Sequence, residues 1–173
     1  ALGLTDPWFV TEARLDLEEE KTDGVRAGEL HLYLDFRPGG RFACSECGTT
    51  GLEVHDTTER TWQHLNFFQH RAWLHARTPR TRCGRCGVHL ASVPWARPNS
   101  GFTLLFEAFA LMLAVQMPVL AASRLLKITD GRLWRILNAY VERARTKVDM
   151  SQVSMVAVDE TSSRRGHTYV SLF

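Results

Sequence analysis

Alternation of apolar and polar residues predicts strands in the first half of the chain. In residues 13–17 and 30–36 every second residue is apolar, which is the period of a half-buried strand. The polar segment between them predicts a hairpin loop whose acidic residues form a solvated face. Residues 60–66 and 71–78 predict two more short strands, joined by a turn at 66–69, and Pro79 is expected to end the second. A small antiparallel β domain is therefore expected over residues 1–93.

The period becomes helical after a linker. Residues 94–101 contain two prolines, a glycine and no regular pattern, which predicts a linker of limited flexibility. Three helices are predicted beyond it: one from Phe102, a short one over 119–127, and one that ends at Arg145 and is capped by Thr129 or Asp130. Their buried stripes are expected to be Phe102, Leu105, Phe106, Phe109, Ala110 and Leu113, then Leu120, Ala121, Leu125 and Leu126, then Leu133, Ile136, Leu137, Tyr140 and Val141.

A short helix, a tight turn and a longer helix make up a helix-turn-helix motif, which is expected over residues 102–150. The longer helix of such a motif lies in the major groove of DNA. Opposite its apolar stripe lie Arg132, Arg135 and Asn138, of which the arginines match the paired acceptors of guanine and the asparagine matches adenine. Lys127 and Thr129 lie in the turn and are also expected to contact DNA. Taken alone, the pattern is also that of a merely structural helical bundle.

All four cysteines occur as two CxxC pairs, each followed by glycine. Cys44 and Cys47 form the first pair, and Cys83 and Cys86 form the second. Four thiolates that close on one ion are typical of a structural zinc site, which holds the fold and does no chemistry. Disulfides are the alternative, and the sequence shows no secretory signal that would favour them. Five histidines that could replace a cysteine ligand are expected to stay outside a shell that the cysteines already complete: His55, His64, His70, His75 and His89.

Charge is unevenly distributed along the 173 residues, although the net charge is only +2. Residues 1–36 carry nine acidic and three basic residues, residues 58–98 carry seven arginines and one acidic residue, and residues 99–150 carry seven basic and four acidic residues. A basic middle indicates a polyanionic partner, so Arg80 and Arg82 are expected to contact DNA phosphates. A solvated arginine face on a zinc module is the alternative. The aromatic residues expected on the inner face of this sheet are Trp62, Phe67, Phe68 and Trp73.

The last stretch returns to a strand pattern. Residues 153–158 are apolar and β-branched and end at Asp159, and a turn over 161–166 and a strand over 167–173 are predicted to follow. RNase H-like nucleases place their first metal-binding carboxylate at such a strand end, but an aspartate there is more commonly a turn residue. The longest apolar run, 102–115, is too short to span a bilayer, so no membrane partner and a cytoplasmic protein are expected.

Several longer motifs resemble those of bacterial insertion-sequence transposases of the ISL3 type. They are the opening WFVTE, the two CxxCG knuckles, RTWQHL, MPV, LWRIL, and the final block VDETSSRRGHTYV. The resemblance implies an N-terminal zinc-binding domain, a helix-turn-helix and an RNase H-like domain whose three carboxylates bind Mg²⁺ and cut DNA at the element's terminal repeats. It assigns Cys44, Cys47, Cys83 and Cys86 to zinc, and Asp159 to the first catalytic carboxylate.

The expected fold class is therefore an α+β multidomain chain: a zinc-binding domain, a helix-turn-helix domain, and over residues 151–173 the first hairpin of an RNase H-like domain. Only Asp159 of the carboxylate triad is found, and Glu160 cannot replace a second member because neighbouring strand residues point to opposite faces. We expect the DNA-recognition part of a transposase, inactive alone, associated with the nucleoid and with a homodimer left open. The alternatives are a stand-alone regulator or transposase remnant that competes for the same sites, and a zinc-stabilised protein-interaction module.

Overall fold

The computed structural model describes residues 2–17, 27–149, 151, 153–154, 159–164 and 168–172. Its strands are β1 (Trp8–Leu17), β2 (Gly28–Phe36), β3 (Val54–Phe67), β4 (His70–Cys83), β5 (Gly87–Leu90), β6 (Asp159–Arg164) and β7 (Thr168–Leu172). Its helices are α1 (Leu104–Gln116), α2 (Val119–Leu126) and α3 (Asp130–Arg145). The predicted β region followed by three helices is therefore confirmed. Most of the predicted first hairpin loop lies outside the described residues.

The chain divides into two compact units, residues 1–136 and residues 137–173. The first unit holds the five-stranded sheet, α1, α2 and the beginning of α3. The second holds the rest of α3 and the two-stranded sheet β6–β7. In the part of the chain that is described, no helix is both long enough and apolar enough to cross a membrane.

The larger sheet has the strand order β1-β2-β4-β3, with β5 also paired to β4. Its β2–β4 pair is parallel, with Leu32 opposite Leu74, so the prediction of a purely antiparallel sheet was wrong. Alternation of apolar residues predicts a strand but does not say which strand lies beside it. The centre is taken by β4, whose Ala72, Leu74 and Ala76 are all buried, while β3 begins with mostly exposed polar residues that suit an edge.

The two long strands extend beyond their predicted ends. Pro79 lies inside β4, opposite Thr57, and does not end the strand as predicted. The carbonyl of Pro79 accepts a hydrogen bond from the Ala91 amide (2.9 Å), which places the proline nitrogen on that same side of the strand. There the pairing with β2 has ended at Ala76 and the pairing with β5 begins at Arg80. The missing amide hydrogen of proline therefore lies at the beginning of the β5 pairing and leaves the pairing of β4 with β3 intact.

An aromatic core lies beneath the sheet. Trp8 packs edge-on against Trp95 (4.8 Å between ring centroids), and Trp95 packs edge-on against the buried Trp62 (5.5 Å). Phe67 and Phe68 were predicted to lie on the inner face, but they lie at the exposed tip of the β3–β4 hairpin, where Phe68 is 81% exposed. The core is therefore completed from outside the strands, by Trp95 of the predicted linker.

The beginning of α1 is fastened to the edge strand β3. The backbone N–H of Gln63 donates to Gly101 O (2.9 Å), and the backbone carbonyl of Gln63 accepts from the Thr103 N–H (3.0 Å). Phe102 therefore continues the sheet as a parallel bridge to Gln63. The Thr103 side chain then caps the helix by accepting from the Phe106 amide (3.3 Å). For this reason α1 begins at Leu104 and not at Phe102 as predicted, and the helical part of the first unit is coupled directly to the sheet.

The helices bury narrower faces than the sequence predicts. The buried helix residues are Phe106, Glu107 and Ala110 in α1, Ala122, Ser123 and Leu126 in α2, and Leu133 and Ile136 in α3. Leu105, Leu120, Leu125 and Val141 are exposed, so their predicted inward positions were wrong. In α2 the pair Ala122 and Leu126 sets the inner face, and at about 100° per residue Leu125 is then turned a quarter of the way round the helix.

In the second unit β6 and β7 pair as an antiparallel hairpin, with Asp159 opposite Leu172. Residues 161–164 continue β6, so the turn predicted over 161–166 was wrong at its beginning. Asp159 is the first described residue of β6. Residues 153 and 154 are not in a strand, and residues 155–158 of the predicted strand lie outside the described residues.

Candidate metal centre and nucleic-acid interface

The four cysteines converge from two tight turns. Cys44 and Cys47 lie in the turn before β3, where Gly48 adopts a φ of +72° and donates its amide hydrogen to Cys44 O (3.0 Å). Cys83 ends β4, and Cys86 precedes Gly87, whose φ is +90°. Both glycines therefore occupy the left-handed region that a side chain would strain. The β4–β5 hairpin and the earlier turn thus present two thiols each to the same point.

The geometry of this cluster fits zinc. All four Sγ atoms lie within 4.8 Å of one another, and those of Cys47 and Cys83 are 3.6 Å apart. Tetrahedral Zn–S bonds of about 2.3 Å place sulfur atoms about 3.8 Å from one another. Cys44 and Cys83 are buried, which is typical of a structural site with a closed shell. The predicted structural zinc is confirmed in this sense, and among the described residues the metal-binding cluster contains no histidine.

The electrostatics of the thiols favour a cation. The Thr49 hydroxyl lies 3.1 Å from Cys47 Sγ, and this hydrogen bond is the main reason why the pKa of Cys47 is lowered to about 6. The neighbouring thiols, Cys47 first, raise the pKa of Cys86 to about 12. Adjacent thiolates repel one another, so the cluster resists full ionisation unless a divalent cation compensates the charge.

The arginines of the sheet are largely paired with carboxylates. Arg80 and Asp56 form a short bidentate ion pair, which raises the pKa of Arg80 and lowers that of Asp56. Arg77 binds Asp35 in the same bidentate manner, with contacts of 3.0 to 3.2 Å. Arg82 is exposed, and its nearest described polar contact is a long one of 3.5 Å to His55. Of the two arginines predicted to contact phosphate, Arg82 is therefore the more available.

Helices α2 and α3 are joined by a three-residue turn, 127–129. The Lys127 amide donates to Arg124 O (3.2 Å) and the Ile128 amide to Ser123 O (3.1 Å), which together close α2 in a Schellman motif. Lys127 adopts the left-handed conformation (φ 53°) that this motif requires, although it is not a glycine. Thr129 O accepts from the Arg132 amide (3.0 Å) and so begins α3. Lys127 and Thr129 are both exposed.

The exposed side of α3 differs from the predicted one. Arg135 and Asn138 are exposed as expected, but Arg132 is half-buried, with its guanidinium 4.3 Å from the ring centroid of Phe102. Trp134, which the sequence analysis did not single out, is 51% exposed. The exposure of Trp134 could have been predicted from the sequence, because Trp134 lies out of phase with Leu133 and Ile136 of the buried stripe.

A buried ion pair supports the beginning of α1 from inside. Glu107 is fully buried, and Arg97 donates to both of its carboxylate oxygens (2.8 and 2.9 Å). The Ser100 hydroxyl adds a hydrogen bond of 2.7 Å to the same carboxylate. The predicted linker is thus held against α1 by charge-assisted hydrogen bonds. In the sequence, Glu107 is only an interruption of an apolar run.

Two known protein families match the chain. The family described as the helix-turn-helix domain of transposase family ISL3 matches residues 91–141, which hold α1, α2 and most of α3. The zinc-finger of transposase IS204/IS1001/IS1096/IS1165 matches residues 40–87, which hold all four cysteines. No solved structure matches the chain.

Two curated relatives are transposases. The transposase for insertion sequence element IS1557 of Mycobacterium tuberculosis is 30% identical over an alignment of 163 residues that covers 91% of this chain and 36% of that protein. The transposase for insertion sequence element IS1001 of Bordetella parapertussis is 26% identical over 145 residues, 83% of this chain and 35% of that protein. The chain thus spans about a third of the length of these relatives. Both matched domains and both relatives point the same way, and the chain belongs to the ISL3 family of insertion-sequence transposases.

Proposed function

We propose that this chain is the DNA-recognition portion of a transposase, and that it binds the terminal inverted repeats of an insertion sequence. The observation that carries the proposal is the α2–turn–α3 arrangement, which buries Leu133 and Ile136 and leaves Trp134 and Arg135 exposed. In a helix-turn-helix such a helix enters the major groove. Asn138 lies one turn further along α3 and is exposed, so it can face adenine while Arg135 faces guanine.

The sheet supports this function in two ways. The zinc centre fixes the turn before β3 to the end of β4, and β3 binds the beginning of α1 through Gln63. The position of α1 relative to the sheet is therefore fixed. Arg82, and Arg80 if it exchanges Asp56 for phosphate, then add contacts to the DNA backbone that carry no sequence information. Residues 1–93 and 102–150 are proposed as the corresponding domains.

A catalytic role for Asp159 belongs to the same proposal. In an RNase H-like domain beginning in residues 151–173, Asp159 would be the first of three carboxylates that hold Mg²⁺ at the scissile phosphate. What supports this is the family membership and the position of Asp159 in an antiparallel hairpin with β7. Strand transfer would then be an activity of the assembled transposase.

The test of the proposed function is DNA binding with variants of α3. Arg135→Ala and Asn138→Ala are each expected to cost about 1–3 kcal/mol on the terminal-repeat duplex and to reduce the preference over a scrambled duplex. Arg37→Ala, an exposed arginine in the turn after β2, is the matched control and should bind like wild type. Fluorescence anisotropy with both duplexes measures the ratio. Full selectivity in both α3 variants would assign sequence reading elsewhere.

Lys127 allows stability and DNA binding to be separated. Lys127→Gly should stabilise the protein by up to about 1 kcal/mol, because glycine adopts the left-handed C-terminal conformation without steric cost. The same change removes a cation expected to contact DNA, and we propose that this contact is to a phosphate, so DNA affinity should fall and its salt dependence should flatten. Lys127→Ala removes the charge but keeps the strain, and should lower affinity with no gain in melting temperature. A stabilised variant with unchanged salt dependence would place Lys127 off the DNA.

A further inference from the structure

A small cleft lies where the first turns of α3 meet the segment that precedes α1. Its volume is about 170 Å³, and its lining includes Asn99, Ser100, Gly101, Phe102, Arg132 and Arg135. All of these residues belong to the first compact unit. A Cβ atom on Gly101 would lie 3.8 Å from Arg132 Nη2, so a residue without a side chain leaves room beside that guanidinium.

The cleft contains more positive charge than its surroundings compensate. Arg97 also lines it, but the Glu107 carboxylate neutralises that guanidinium. Neither Arg132 nor Arg135 forms an ion pair with any carboxylate of the described part of the chain. Arg135 donates Nε–H to Gly131 O (3.3 Å), which leaves its two terminal nitrogens free. No carboxylate of the described residues therefore compensates the half-buried Arg132 guanidinium, and the exposed Arg135 adds a second positive charge to the lining.

Arg132 is held in an orientation that suits a ligand in this cleft. Its guanidinium lies over Phe102, which itself stacks on Phe106 at 4.6 Å with an interplanar angle of 10°. Burial, and secondarily the charge of Arg135, lower the pKa of Arg132. A half-buried cation without a partner costs free energy unless an anion compensates it. The stacking also turns the side chain toward residues 99–102, whereas a base-reading residue has to project freely from the helix.

We infer that this cleft binds one phosphate group of the DNA backbone, and that Arg132 is a phosphate-binding residue and does not read bases. The inference rests on the proposed function for the source of the phosphate. Guanidinium groups bind phosphate oxygens through paired hydrogen bonds, and a phosphate held at the first turns of α3 would fix the register of that helix in the groove. Sequence reading then falls to the residues that project freely, Asn138 among them.

The first experiment compares Arg132→Met with Asn138→Ala. Methionine keeps an apolar side chain over Phe102 and removes the charge, so the variant should fold, as its melting curve will show. Arg132→Met is expected to weaken binding to terminal-repeat and scrambled duplexes by the same factor. Its slope of log K against log salt should fall by about 0.9, the value for one phosphate. Asn138→Ala should instead change the ratio of the two affinities, and Arg37→Met, an exposed control, should change neither quantity.

The second experiment locates the phosphate. Terminal-repeat duplexes with a single neutral methylphosphonate at successive positions are titrated with wild type and with Arg132→Met. One position should weaken the wild-type protein and leave Arg132→Met unaffected, because the variant no longer uses that charge. Equal sensitivity of both proteins at every position would overturn the inference, as would a loss of selectivity in Arg132→Met with an unchanged salt slope.

Inorganic phosphate distinguishes a DNA phosphate from a free one. At matched ionic strength, phosphate is expected to compete with DNA for wild type more than for Arg132→Met. Stabilisation of the wild-type protein by phosphate, with equal DNA binding by both proteins, would make the cleft a free-anion site and overturn its assignment to the DNA backbone. If the wild-type protein shows no salt-dependent affinity for any duplex, the proposed function itself fails, and this result is distinct from the others.

Discussion

Cys44→Ser is expected to abolish the cooperative unfolding transition of the first unit. Cys44 is buried, and zinc bound to four thiolates contributes folding free energy on the order of 10–16 kcal/mol in small zinc domains at neutral pH. That contribution exceeds the whole stability of a typical domain, about 5–15 kcal/mol. The loss should not stop at the sheet, because the Gln63 backbone links β3 to the beginning of α1.

The measurement is thermal unfolding followed by circular dichroism, with zinc content determined by elemental analysis. Wild type should carry one zinc per chain. It should lose its near-ultraviolet signal, to which the packed Trp8, Trp62 and Trp95 contribute, when a strong chelator is added. Ser45→Ala is the matched control, since Ser45 lies between the two cysteines of the first pair and is no ligand. Wild-type protein without zinc that still melts cooperatively would contradict the structural assignment.

The zinc centre is the part of the molecule that the sequence predicts best, for a physical reason. Each CxxCG turn is local, so the geometry that brings Cys44 beside Cys47 depends on a few consecutive residues. The convergence of the two turns is also predictable, because four ligands of one ion have few other arrangements. The three helices follow from their period in the same way, although the residues that each helix buries do not.

What the sequence did not predict depends on contacts between distant residues. The parallel β2–β4 pair places β4 at the centre of the sheet, where Ala72 and Leu74 are buried, and the alternation of β3 and β4 does not say which of them lies beside β2. The helical period correctly places Arg132 off the apolar stripe of α3, yet its long side chain reaches Phe102 at the other end of the three-helix segment. A period describes where a Cα atom lies, and for arginine the charge can lie several ångströms away from it.

Glu107 shows the same limit with a larger energy. A glutamate in an apolar run is normally expected to interrupt the buried face, because a buried carboxylate without a partner is strongly unfavourable. Here Arg97, ten residues earlier, supplies two hydrogen bonds and Ser100 a third. The partner lies in the predicted linker, so neither the helix pattern nor the linker composition alone indicates the pair.

Removal of one partner of this pair is expected to give a large loss of stability. Glu107→Ala should lower the free energy of unfolding by about 3–5 kcal/mol, because it leaves the Arg97 charge partly buried without its carboxylate. Arg97→Ala should cost a similar amount, since Glu107 is fully buried. The double variant should cost clearly less than the sum of the two, because each single change already leaves the other charge uncompensated.

Urea unfolding of the two single variants and the double variant measures this coupling, with Glu142→Ala as the matched control. Glu142 also pairs with an arginine, Arg145, at 3.6 Å, but both side chains are more than 70% exposed. An exposed pair of this kind contributes about 0.3–0.5 kcal/mol, so the control should unfold at nearly the same urea concentration as wild type.

The buried pair also joins residues 97–100 to α1, and these residues border the cleft beside Arg132. Glu107→Ala should therefore weaken DNA binding even at temperatures where the variant is fully folded. In the unfolding measurements, strictly additive losses of free energy in the double variant would show that the two charges do not depend on each other.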